Sequence, residues 1–286
     1  MPSSVITPDF KSTPYWWEAA PRPNLPEAPL PKTAEVAVIG SGFTGLSAAL
    51  TLARAGRQVH VFEAEDAGHG ASTRNSGFIG SALRSKFSPL IERYGLAQAT
   101  AMAKEAVAAH RYLVSLIERE QIACHWVYCG RLAPAHTPEA YEWLGREFDL
   151  LHKYVGLDGT MVPRSELHRE VGSDLYHGAL VTTLNGSLHP GLYHAGLLDR
   201  AQLSGAVVHA RTPVQDILRE APARFRIATP RGTVIANHVL MASNGYTGFA
   251  KPWFRDRVIP VHAGVMVWEP LAPERLRRAL PTGRTM

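Results

Sequence analysis

Hydrophobic and polar positions change rhythm several times along the chain, and each change marks an element. Residues 35–39 form a short apolar run. A turn of small residues follows, and 44–55 carries Ala and Leu at helical spacing until Gly56, a residue suited to a left-handed helix stop. A second apolar run at 58–63 completes a strand–helix–strand unit with tight connections. Residues 64–80, rich in Gly, Ser and Asn, predict an ordered loop. Leu90, Tyr94, Val107, Leu113, Leu116 and Ile117 then recur at helical spacing over 89–120, with Gly95 dividing them into two helices. Weak alternation predicts a strand at 125–132. Residues 137–154 read as an amphipathic helix with Thr137 as cap and Glu139 in the first turn. Strand-like runs on either side of Asn185-Gly186, within 176–188, predict a hairpin. His189-Pro190 opens a helix that ends near Gly205, and strands are expected at 206–210, 214–219, 225–229, 233–236 and 238–242. Ahead of all this, residues 1–33 are Pro-rich and predict an extended leader that Tyr15, Trp16 and Trp17 anchor to the body.

Composition narrows the function classes. Hydrophobic residues make up 45% of the 286, enough for a globular core of ordinary size. The net charge of +5 is scattered without a block of like charges, so no nucleic-acid partner is expected. Cys124 and Cys129 lack a zinc-like spacing and a second pair, which predicts no metal site and two reduced thiols in a cytoplasmic protein. The start of the chain lacks the basic-then-apolar pattern of a secretory signal. Residues 36–53 are uncharged over a length that raises a membrane span, but glycines and hydroxyl side chains interrupt them. A strand–turn–helix accounts for the stretch, and no membrane partner is expected. Among the histidines, His60, His209 and His238 read as packing or surface residues of strands. Trp126 and Tyr128 read as core, and Tyr246 as a packed aromatic.

The sharpest chemical signal is Gly40-Ser41-Gly42-Phe43-Thr44-Gly45, between the first strand and its helix, with Glu63 at the end of the next strand. Gly40 permits a tight turn, Gly42 admits a pyrophosphate to the backbone, and Gly45 lets helix and sheet pack closely. The helix start offers unpaired N–H groups and partial positive charge to the phosphates. Glu63 is placed to accept the adenosine ribose hydroxyls, and its charge disfavours a 2′-phosphate, so NADP fits worst. A glycine turn with no ligand is the bland alternative. This unit alone leaves FAD and NAD open. The following loop, with Ser72, Arg74, Asn75 and Ser76, offers N–H groups and a cation to a phosphate or flavin ring, although a plain surface loop has the same composition.

With these residues in view the chain resembles the D-amino-acid-oxidase-like FAD oxidoreductases, the group of glycine oxidase and sarcosine oxidase, and within it the bacterial gamma-glutamylputrescine oxidase type. The resemblance rests on Tyr15-Trp16-Trp17, on 36–53 and on the loop Gly70-Ala71-Ser72-Thr73-Arg74-Asn75-Ser76-Gly77. It continues in Gly186-Ser187-Leu188-His189-Pro190, Thr212-Pro213-Val214, Asn244-Gly245-Tyr246 and Glu269-Pro270-Leu271.

The resemblance implies an α/β fold, a Rossmann-like FAD-binding domain with an interleaved, incomplete α+β substrate domain. The expected bounds are a leader at 1–29, the FAD domain at 30–85 and 190–250, and the partial substrate domain at 86–189 and 251–286. It implies an FAD site at Gly40, Gly42, Phe43, Thr44, Gly45, Glu63, Ala64, Ser72, Arg74, Asn75, Ser76, Gly77, Val214, Ser243, Asn244 and Gly245. Val214 meets the adenine through its backbone, and Ser243, Asn244 and Gly245 lie towards the pyrophosphate. Some relatives attach FAD through a His in the loop after the second strand; Arg74-Asn75 stand there, so noncovalent FAD is expected. The implied reaction takes a hydride from a small neutral amine or amino acid to flavin N5. The imine is hydrolysed, and oxygen or another acceptor reoxidises the flavin. No catalytic side chain is assigned. Family members continue well beyond Met286, so the implied alternative is a truncated, non-catalytic flavoprotein that needs a partner chain for the missing C-terminal part.

Overall fold

The computed structural model describes residues 10–248, 250–261 and 264–286; residues 1–9 of the expected leader, with Phe249, His262 and Ala263, lie outside the described residues. The strands are β1 (Thr33–Ile39), β2 (Val59–Phe62), β3 (Phe78–Ile79), β4 (Arg131–Pro134), β5 (Gly159–Pro163), β6 (Gly178–Thr182), β7 (Gly186–Ser187), β8 (Val207–His209), β9 (Asp216–Ala221), β10 (Arg224–Thr229) and β11 (Gly232–Met241). The helices are α1 (Trp16–Ala19), α2 (Phe43–Arg54), α3 (Phe87–Tyr94), α4 (Leu96–Arg119), α5 (Pro138–Val155), α6 (Pro190–Leu203), α7 (Pro252–Arg255) and α8 (Pro273–Ala279). Two compact units result. One holds the chain up to Ser76 with Pro190–Val267; the other holds Gly77–His189 with Trp268–Met286.

The first unit is built on one six-stranded sheet in the order β8-β2-β1-β11-β10-β9. Its first four strands are parallel and the last two antiparallel. Helices on a parallel sheet leave its central strands dry on both faces, which is why β2 is buried at every position. Ile39, Phe62, Ile227 and Val234 form the core on one face. Helices α2 and α6 pack on each other. Residues 233–236 and 238–242, expected as two strands, form the single β11. Parallel pairing to β1 on one side and antiparallel pairing to β10 on the other keep it extended throughout.

The second unit carries a three-stranded antiparallel sheet, β4-β6-β5, and the short pair β3-β7. The expected strand at 125–132 is corrected to Arg131–Pro134. Positive φ at His125 and Gly130 turns the chain, leaving only an isolated bridge from Val127 to Ser187. The expected hairpin is also absent: β6 lies between β4 and β5, while β7 pairs with β3. Gly186 sits against the Trp126 ring and Val127 carbonyl, and Val127 and Ser187 exchange backbone bonds of 3.0 and 3.1 Å, which draws β7 away from β6. Strand β5 went unread in the sequence. Tyr128, expected in the core, is exposed. Residues 77–85, assigned to the cofactor domain from sequence, fall in the second unit because β3 pairs there. Residues 251–267 fall in the first, where the Lys251 ammonium donates to the Ile217 carbonyl at 3.1 Å.

The helical layer of the second unit follows from local chemistry. Gly95 at φ +77 divides α3 from α4. Thr137 Oγ1 accepts the Ala140 N–H at 3.2 Å ahead of α5, and Gly156 in the left-handed region ends that helix. Helix α3 has no cap of its own. The buried Glu147 of α5 supplies one, accepting the Phe87 N–H at 2.8 Å, the Ser88 N–H at 3.2 Å and the Ser88 hydroxyl. A carboxylate at a helix N-terminus satisfies orphan N–H groups and the dipole together. Glu147→Ala is therefore expected to lower unfolding free energy by about 1–3 kcal/mol. A denaturant midpoint unchanged from wild type refutes the cross-helix cap.

Candidate site around the glycine turn

The turn between β1 and α2 meets its neighbours first through backbone. Gly40, at φ +105, donates its N–H to the Phe62 carbonyl at 2.8 Å, and a Cβ there would lie 2.8 Å from the Ala242 carbonyl oxygen. A Cβ on Gly45 would overlap the Gly40 carbonyl. The first turn of α2 thus rests directly on the turn that launches it. Gly42 stands at the head of the helix, where a Cβ would come within 2.8 Å of Ser72 Oγ. That hydroxyl accepts the Phe43 N–H at 3.0 Å. Thr44 and Gly45 follow in the first turn, where α-helical N–H groups have no partner within the helix.

Glu63 reaches the turn from the end of β2. Its Oε2 accepts the Ser41 N–H at 2.9 Å and the Ser41 hydroxyl at 2.6 Å, and Oε1 accepts the Glu65 N–H at 3.1 Å. Backbone bonds fix the residue: its N–H donates to the His209 carbonyl at 3.0 Å and its carbonyl accepts the Thr212 N–H at 2.7 Å. The Gly68 N–H reaches Ser41 Oγ at 3.2 Å. Beneath the turn lies fully buried His194 of α6, whose Nε2–H donates to the Ser41 carbonyl at 2.7 Å. A carbonyl only accepts, so Nε2 carries the hydrogen and Nδ1 is the acceptor, facing the Arg22 guanidinium at 3.5 Å. Sequence reasoning missed Ser41 and His194 as site residues. Ser41 stood inside the motif, whereas nothing in the sequence singled out His194 among 13 histidines.

The remaining predicted residues are distributed as follows. Asn75 braces the 3₁₀ turn Ala71–Thr73, its amide donating to the Ala71 and Ser72 carbonyls. The leader grips this segment: Trp17 Nε1 donates to Thr73 Oγ1 at 2.8 Å and Trp16 Nε1 to the Asn75 carbonyl at 2.7 Å. Arg74 is committed locally, with Nε on the His69 carbonyl at 2.6 Å and its guanidinium 4.7 Å over the Trp17 ring. Ala64 and Ser76 are exposed, and Gly77 opens the second unit. Val214 packs on the sheet core that includes Phe62. The Ala242 N–H bonds the Ile39 carbonyl at 2.8 Å, which brings Ser243 beside Gly40; Asn244 follows in the left-handed region, then Gly245. Tyr246, expected to be packed, is 63% exposed. His189 is buried in the second unit, where its N–H donates to the Cys124 carbonyl.

These residues fit a dinucleotide. Glycines at 40, 42 and 45 leave the backbone open at alternate points around the helix start, and a half-buried carboxylate after the next strand keeps lone pairs on Oε1. Among the described residues no helix is long and apolar enough to cross a membrane. Residues 35–285 match the family described as FAD dependent oxidoreductase (DAO). Gamma-glutamylputrescine oxidoreductase of Escherichia coli (strain K12) is 31% identical over 250 residues, 87% of this chain and 58% of that protein. A probable oxidoreductase, OrdL, of Rhizobium meliloti (strain 1021) is 31% identical over 91% of this chain and 60% of its own length. The chain thus spans less than two thirds of the length of these curated relatives. The crystal structure of glycine oxidase from Geobacillus kaustophilus aligns with a TM-score of 0.64 at 25% identity, over 78% of this chain and 58% of that one.

Burial pushes the His194 imidazole down to about 4. Burial, then the neighbouring His60, does the same to His209, whose Nε2 lies 3.0 Å from His60 Nδ1. Unfolding returns each ring to its ordinary value near 6.5. The unfolded chain therefore binds protons that the folded one refuses. Stability from the neutral rings is complete above pH 6.5 and is lost as pH falls towards 4. Thermal midpoints measured across this window are expected to drop on acidification, with a shallower slope in His209→Gln; a flat profile in the wild type rules out buried neutral histidines.

Proposed function

The chain belongs to the FAD dependent oxidoreductase family, and from that premise we propose that the glycine turn holds FAD noncovalently for oxidation of a C–N bond in a small amine or amino acid. The observation that carries the proposal is the convergence of three groups on one turn: the glycines at 40, 42 and 45 around the start of α2, Ser72 Oγ on the Phe43 N–H, and the Glu63 carboxylate on Ser41. The N–H groups at the start of α2 receive the pyrophosphate. Glu63 accepts the ribose hydroxyls on Oε1, while Ser41 holds Oε2. Ser243, Asn244 and Gly245 flank the pyrophosphate and Val214 the adenine. Ala64 and Ser76 complete the cofactor's surroundings within the first unit. Arg74 and Asn75 keep the loop after β2 in place, and neither offers the imidazole that a covalent flavin link through His requires.

FAD, when bound, supplies the two-electron oxidation of the C–N bond. The substrate class is taken from the relatives, whose names specify gamma-glutamylputrescine and glycine. The purified chain is expected to show oxidised-flavin absorbance, alone or after FAD addition, that bleaches anaerobically with one member of an amine and amino-acid panel. Protein that stays colourless with added FAD overturns the cofactor assignment. A retained flavin that no amine bleaches overturns self-sufficient oxidation and leaves the flavoprotein that needs a further chain. Glu63→Gln removes charge from the ribose acceptor and turns one acceptor oxygen into a donor, and is expected to weaken FAD binding about tenfold while lowering the melting temperature modestly. Equal affinities by fluorescence titration remove Glu63 from the site.

A further inference from the structure

The second unit has a half-open cavity of about 420 Å³ between its helices and the β4-β6-β5 sheet. Its walls are apolar, from residues such as Leu90 of α3, Val107 of α4 and Phe148 and Leu151 of α5. Strand alternation makes its floor polar at one end. Arg131 and Thr182 are cross-strand partners that line the cavity, whereas their neighbours Leu132 and Val181 belong to the core on the opposite face. Thr182 Oγ1 donates to Oδ1 of the buried Asn185 at 2.7 Å, which fixes that amide at the same end.

The charge balance of this cavity is one-sided. Arg84, Lys86 and Arg131, all on its exposed side, line it, and the buried Glu147 is its one lining acid. Both Glu147 oxygens are already engaged by the start of α3. Lys86 lies 5.4 Å over the Trp143 ring. No carboxylate among the described residues pairs with Arg131 or Arg84. An apolar pocket of this volume with a few convergent polar groups is the usual form of a small-molecule site. A guanidinium fork without a counter-ion matches a carboxylate in shape and charge.

We propose that this cavity binds a small amphipathic carboxylate, an aryl- or alkyl-substituted acid whose apolar body lies among the helices and whose carboxylate meets Arg131. The proposal involves no bond-making step and is independent of the FAD reading. It is tested on the full chain without added FAD, by calorimetric titration with 3-phenylpropanoate and octanoate and with the corresponding neutral alcohols. Both acids are expected to saturate, with the alcohols at least tenfold weaker. Arg131→Gln is expected to lower acid affinity at least tenfold and leave the alcohols unchanged. Leu151→Trp, which fills the cavity, is expected to abolish both. Absent saturation, equal binding of acid and alcohol, or acid binding that survives either substitution overturns the proposal. Should Arg131→Gln lose its melting transition, Arg131→Lys keeps the charge without the fork and is expected to show a partial loss; undiminished acid affinity there overturns the role of the fork. Flavin absorbance of the same samples reports the other site separately.

Discussion

Two stretches of backbone touch at the head of α2 with no side chain between them, and the first unit is arranged around that contact. Gly45 lies on the Gly40 carbonyl, and Gly40 lies on Ala242. Because α2 starts so close to β1, Ser41 falls within reach of Glu63 on one side and of His194 on the other. A methyl group at Gly45 would push helix and turn apart and loosen Ser41 from both partners together. Individual hydrogen bonds here contribute on the order of 1 kcal/mol each, but they share one geometry and do not fail one at a time.

The parts of this arrangement that were legible in the sequence are those fixed by local chemistry. The glycines, the apolar runs of β1 and β2 and the acid at the end of β2 announce the turn, because each residue type is required by the backbone beside it. Gly95 and Thr137 announce the helix boundaries in the same way. His194 was silent: it meets Ser41 across 153 positions of sequence, and nothing around it on α6 encodes that meeting. The failed hairpin has the same origin. Asn185-Gly186 is a good local turn signal, but Val127 and the Trp126 ring, distant in sequence, decide what Gly186 pairs with. Strand β11 shows the converse, where long-range pairing on both sides joined what local pattern had divided.

Two glutamates illustrate how one functional group takes opposite parts. Glu147 is buried, and both of its oxygens are used by the first N–H groups of α3 and the Ser88 hydroxyl. It is a structural anion, complete as it stands. Glu63 is half-buried, with Oε2 doubly bonded to Ser41 and Oε1 meeting one N–H. A carboxylate offers about four acceptor positions, so Glu63 is held in place yet remains able to accept more. Burial and the number of donors, rather than residue type, separate the two.

The two indole bonds from the leader carry a consequence for where this fold begins. Trp16 and Trp17 hold Asn75 and Thr73, and Thr73 in turn donates to the Gly68 carbonyl at 2.6 Å. The segment matched to the family starts at residue 35, after the whole leader. A boundary drawn there by motif would cut away side chains that hold the loop after β2. Positions 16 and 17 are coupled by these bonds to 75 and 73. Recombination that joins this leader to another body, or this body to another leader, has to preserve that match or replace both halves at once.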